Sequence, residues 1–91
     1  MARVELTRHL SQFFPQLGSE VTASGSTVAD LIADIERRAP GFAFYICDER
    51  GRLRRHVNVF VDGLSVGDRA RLSDPVTPTS HVMIMQALSG G

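Results

Sequence analysis

Between Thr27 and Gly41 the chain commits to one amphipathic helix, and a lone helix of that kind obliges the rest of the chain to supply a surface for it to cover. Val28, Leu31, Ile32 and Ile35 recur at i, i+3, i+4 and i+7, which places them on one stripe. Asp34, Glu36, Arg37 and Arg38 fall largely outside it. Thr27 can cap the helix, and Asp30 three residues on completes an acidic variant of the capping box. Pro40-Gly41 stops it. The spacing predicts a helix over residues 28 to 39.

The remaining elements read as strands and turns. Val4-Glu5-Leu6-Thr7 alternates like a half-buried strand. Phe13, Phe14, Pro15 and Leu17 form an apolar turn or loop, because Pro15 and Gly18 interrupt any strand there. Ser19 to Ser24 suits a short edge-like strand. Phe42 to Cys47 is apolar without a clean period, so a short strand and a packed loop both fit. Asp48-Glu49-Arg50-Gly51 reads as a turn. His56 to Val61, closed by Asp62-Gly63, is a strong strand and turn signal, with Val57, Val59 and Val61 on one face and Asn58 and Phe60 on the other. Gly67 to Ser80 holds two prolines and should be mostly loop. In the last strand, His81 to Gln86, Val82 and Ile84 should face the core, and His81, Met83 and Met85 should face outward.

One helix and one sheet make a two-layer α+β domain. A single helix leaves the other sheet face partly open, and Phe60, Met83 and Met85 would lie there as an apolar docking patch. The alternative is that loops fold over that face and bury these side chains.

Composition narrows the function. The 91 residues suffice for one domain with a modest core. No apolar run approaches the roughly 20 residues of a membrane span, and the N-terminus lacks the apolar region of a signal peptide. The single cysteine, Cys47, offers neither an internal disulfide nor a metal cluster, which together with the rest fits a reducing cytoplasm. Net charge is zero, so nothing in the bulk advertises nucleic acid or a membrane. All ten basic residues are arginine. A GC-rich genome explains that, and so does an advantage in lacking amines that would attack an activated C-terminus.

In order along the chain, Ser26-Thr27-Val28-Ala29-Asp30-Leu31-Ile32, Arg38-Ala39-Pro40-Gly41-Phe42, Val57-Asn58-Val59-Phe60-Val61-Asp62-Gly63, Val82-Met83-Ile84 and the terminal Gly90-Gly91 resemble the ubiquitin-like sulfur carriers. That family is typified by the small subunit of molybdopterin synthase and the thiamine-pathway carrier. The run from Asp48 to Asn58 resembles the extended middle segment of the carriers that serve cysteine synthesis. Many members carry prolines before the tail, where this chain has Met85-Gln86-Ala87-Leu88.

The resemblance implies a β-grasp fold: a mixed sheet of four to five strands covered by one main helix, spanning residues 1–86, with 87–91 as a flexible tail. It also implies that the working part is the C-terminus. Such carriers are adenylated by an E1-like enzyme, with ATP and magnesium bound by that enzyme and no cofactor by the carrier. A sulfur donor then displaces the adenylate and leaves a C-terminal thiocarboxylate, which passes its sulfur to an acceptor enzyme. On this reading Gly91 is the modified residue and Gly90 its slim neighbour, because a glycine lets backbone pass through a narrow channel. Leu88, Met85, Met83 and Phe60 are the expected partner contacts, with no catalytic or metal-binding residue of the chain's own. The acceptor would be a cysteine synthase-like enzyme or the large subunit of molybdopterin synthase.

Three other functions compete with this one. A protein modifier would use the same tail on target lysines, and the sequence does not separate it from a sulfur carrier. Arg50, Arg52, Arg54, Arg55 and His56 could contact phosphates, but Asp48 and Glu49 sit beside them and no aromatic stacking series is interleaved. A solvated loop or a dock for an acidic partner fits that cluster better. An enzyme in its own right lacks a motif: His9, His56 and His81 are far apart in sequence, and Cys47 sits in an apolar run as a packed small hydrophobe.

Overall fold

The computed structural model describes residues 1–86, so the expected tail and its assignments, Leu88, Gly90 and Gly91, lie outside the described residues. The elements run β1 (Ala2–Leu6), α1 (Arg8–Phe13), a 3₁₀ turn at Pro15–Leu17, β2 (Glu20–Ala23), α2 (Val28–Arg38), α3 (Phe42–Ile46), β3 (Val57–Val61), β4 (Leu64–Ser65) and β5 (His81–Gln86). Among the described residues the strands form one mixed sheet in the order β2-β1-β5-β3-β4. β1 and β5 pair in parallel at its centre, and the other pairings are antiparallel. This is the β-grasp architecture, with α2 laid across one face of the sheet.

Alternation along the strands builds the core. Val4, Leu6, Val57, Val59, Val82 and Ile84 face the helices and are buried. Val28, Leu31, Ile32 and Ile35 of α2 meet them, and each of these four is at most 5% exposed. Burying one such side chain contributes roughly 1.5–3 kcal/mol relative to leaving it in water.

The N-terminus of α2 is closed amide by amide. Val28 N–H donates to Asp74 O, Ala29 N–H to Leu72 O, and Leu31 N–H to Thr27 O. Asp30 N–H donates to Thr27 Oγ1, as the capping pattern requires. The Asp30 carboxylate reaches past Thr27 and accepts from the N–H and hydroxyl of Ser26. Gly25 makes this possible, because a Cβ there would stand 2.3 Å from Asp30 Cβ. The long segment before β5 is thus mostly loop, as expected, and it works as a second cap for α2.

Three elements differ from the sequence reading. Phe42 to Ile46 is neither strand nor loop but the short helix α3. Gly41, at φ 100°, turns the chain sharply after α2, and Phe42 and Ile46 then point together into the core, four residues apart on a helix. Arg8 to Phe13 forms the short helix α1, which seats Leu10 in the core ahead of the expected apolar turn. β4 follows the Asp62-Gly63 turn, where both residues have positive φ and so close a tight two-residue hairpin.

Candidate functional site

β5 ends at Gln86, the last described residue, and three surfaces meet around that strand end. The first is the open face. Register pairs Phe60 with Met83 and Asn58 with Met85 on the side away from α2. Phe60 and Met83 are half-buried, and Met85 is 38% exposed. With Gly63 and His81 they line a shallow depression of about 260 Å³. The loops leave these side chains uncovered, so the expected apolar patch exists as a surface.

Beyond the patch, Glu5 and Glu20 face each other across β1 and β2, and His81 Nε2 lies 3.0 Å from Glu5 Oε1. The three side chains place ligand-type atoms within 4.8 Å of one another. The sequence reading proposed no metal ligands, and these positions carry no motif spacing. Strand register brings them together from residues 5, 20 and 81. They form a partly exposed polar cluster beside the apolar patch.

The second surface is the start of β3. Val57 pairs with Gln86, so the turn holding Arg54, Arg55 and His56 stands next to the last residue of β5. Arg52, Arg54, Arg55, His56, Asn58 and Arg69 line an open concavity of about 790 Å³. Arg54 donates through Nε and Nη2 to Phe44 O at 3.1 and 2.9 Å, and its guanidinium stacks 4.9 Å from the Phe44 ring centroid. Arg69 donates to Arg54 O at 2.7 Å and to Asn58 Oδ1 at 3.3 Å. Arg52 Nε sits 3.5 Å from Asp48 Oδ2. Desolvation raises the Asp48 pKa, but the N–H groups of Arg52 and Arg50 and the Arg52 charge outweigh it and leave the carboxyl below its ordinary value. Arg50 is absent from this lining, and Arg69, a sequence-distant contributor, completes it.

The third surface is α1. Gln86 N–H donates to Thr7 Oγ1 at 3.5 Å, and Arg8, His9 and Gln12 border Gln86 from the helix side. Phe13 packs against Tyr45 with centroids 5.0 Å apart, which ties α1 to α3.

Cys47 is 6% exposed, and burial pushes its thiol up from the ordinary value. A buried thiol held protonated is a poor nucleophile, so Cys47 is packing, as its apolar run suggests. Among the described residues His9, His56 and His81 sit on separate surfaces and assemble no nucleophile-base pair. No helix of the described residues is long and apolar enough to cross a membrane.

The strand order, with α2 across one sheet face and the other face open, places the described residues in the ubiquitin-like β-grasp fold class. The ThiS family model matches residues 9–91, and the chain belongs to that family of sulfur carriers, which are charged by enzymes and are not enzymes themselves. It is 31% identical to the sulfur carrier protein CysO of Mycobacterium tuberculosis over 81 residues, which cover 85% of this chain and 87% of that protein. Its fold is similar to the CysO complex with BexX from Amycolatopsis orientalis, with a TM-score of 0.86, 28% identity and full coverage of both chains. It also matches the fold of SAMP1 from Haloferax volcanii, with a TM-score of 0.75 and 21% identity over 99% of this chain and 98% of that one.

Proposed function

We propose that this carrier works through the carboxyl of Gly91, in the cytoplasm, by the cycle its resemblance implies. An E1-like enzyme holding ATP and magnesium converts the carboxylate to an acyl-adenylate. A sulfur donor displaces the adenylate and leaves a thiocarboxylate. An acceptor enzyme of the cysteine synthase or molybdopterin synthase type then takes the sulfur.

The observation that carries this reading is the family match running through the tail to residue 91, Gly90-Gly91 included. The carrier's contribution is positional. β5 ends at Gln86, five residues before Gly91, and two terminal glycines suit a backbone that must enter a narrow channel. Met85, Met83 and Phe60 on the open sheet face are the partner contacts of this reading, with Leu88, outside the described residues, as the fourth. The likeness to a CysO solved with BexX supports docking of this fold on a second protein.

Gly91→Ala tests the reading. It should lower the rate of thiocarboxylate formation on the order of a hundredfold, the scale of a misplaced reacting group, with melting unchanged. Equal initial rates of thiocarboxylate formation from wild type and variant would contradict it.

A further inference from the structure

We propose that the arginine-lined concavity at the start of β3 receives an acidic rim on the adenylating enzyme that takes the tail. The proposal rests on the carrier reading above and adds a second contact to it, electrostatic rather than apolar.

Position comes first. The Val57–Gln86 pairing fixes the concavity beside Gln86, the residue that precedes the tail in sequence. Residues 87–91 could span at most about 18 Å even if fully extended. A partner that draws Gly91 into its own site must therefore bring the mouth of that site against the surfaces around Gln86.

Charge comes second. The chain as a whole is neutral, yet four guanidinium groups and His56 line this one hollow. Asp48 is the carboxylate within ion-pair distance of them among the described residues, and it engages Arg52. Arg54 and Arg69 spend their hydrogen bonds on neutral acceptors, Phe44 O, Arg54 O and Asn58 Oδ1. Their charge is left uncancelled while their side chains are held in place. A guanidinium fixed in this way loses little freedom when it meets a carboxylate.

Continuity comes third. Asn58 in the concavity pairs directly with Met85 of the apolar patch. One flat partner face could cover both, its apolar centre on Met85 and its acidic edge on the arginines. A nucleic acid fits less well. The lining has no Phe, Tyr or Trp for base stacking, and it includes the Asp48 carboxylate.

Arg55 is exposed, so reversing its charge leaves the core alone. The test compares Arg55→Glu and Arg55→Gln with wild type in loading by the adenylating enzyme of the same organism, from low to high salt, with melting curves to establish that each variant is folded. At low ionic strength Arg55→Glu should lower kcat/KM about tenfold while the rate at saturation holds, with a smaller loss for Arg55→Gln. The gap should close as salt screens the contact. Wild-type kcat/KM in folded Arg55→Glu at low salt would overturn the proposal, as would a deficit that salt does not change. Binding of a single-stranded oligonucleotide that competes with loading and depends on Arg55 would assign the concavity to nucleic acid instead. Failure of the wild type to be loaded, by an enzyme active on another carrier, would remove the carrier reading and this contact with it.

Discussion

At the scale of single residues, Thr27 does the most with the least. Its hydroxyl closes the Asp30 N–H, its carbonyl closes the Leu31 N–H, and it stands where β2 must turn into α2. Thr27→Ala removes the hydroxyl alone and should cost about 1 kcal/mol, read as a lower midpoint in denaturant with an unchanged slope. An unchanged midpoint would mean that water replaces the cap. The cap was legible in the sequence because a side chain three residues from an amide is a local pattern. The finer detail was not. Asp30 reaches Ser26 because Gly25 has no Cβ to hold the backbone away, and a missing atom leaves no periodic signal. Arg69 was missed for a similar reason, since only strand register and loop path bring it to Arg54.

At the scale of elements, the long pieces were readable and the short ones were not. α2 announces itself over three turns, and β3 and β5 by alternation. α1 and α3 have six and five residues, too few for a helical period to show against chance. They form because tertiary packing of Leu10, Phe42 and Ile46 favours them. What joins these elements is a set of carboxylates at their ends. Asp34 accepts from Ser24 N–H, and this bond, with Arg37 and Arg38 nearby, holds its carboxyl below the ordinary value. Glu36 accepts from the N–H groups of Gly41 and Ala43 at 3.0 and 2.8 Å, which lowers its pKa and ties α2 to α3. Asp74 accepts from Gly67 and Asp68 N–H groups, with the same direction of shift.

A carboxyl whose pKa is depressed in the fold contributes stability above its unfolded value and loses it as pH falls through the folded one. The melting temperature should therefore stay level from neutral pH to about pH 5 and fall below about pH 4, where these groups titrate. Glu36→Gln should melt lower than wild type at neutral pH and show a shallower acid decline. Parallel acid curves for the two proteins would remove Glu36 from this account.

At the scale of the whole molecule, the β-grasp fold divides the labour. One sheet face is spent on the core under α2, and the other remains a surface with Phe60, Met83 and Met85 on it. The alternation in β3 and β5 made this division readable, because a strand's two faces can be separated by counting in twos. The basic concavity was only half readable. Arg50 to His56 stands out as a basic run, but the place of its Arg52 to His56 part beside the end of β5 depends on the pairing of β3 with β5. The proposed cycle puts the carried sulfur on the carboxyl of Gly91. The most direct measurement is the intact mass after incubation with ATP, a sulfide source and the organism's adenylating enzyme. The account predicts a gain of about 16 Da, one oxygen replaced by sulfur at the acyl group, lost when Gly91 is deleted. An unchanged mass, with the same enzyme active on another carrier, would contradict it.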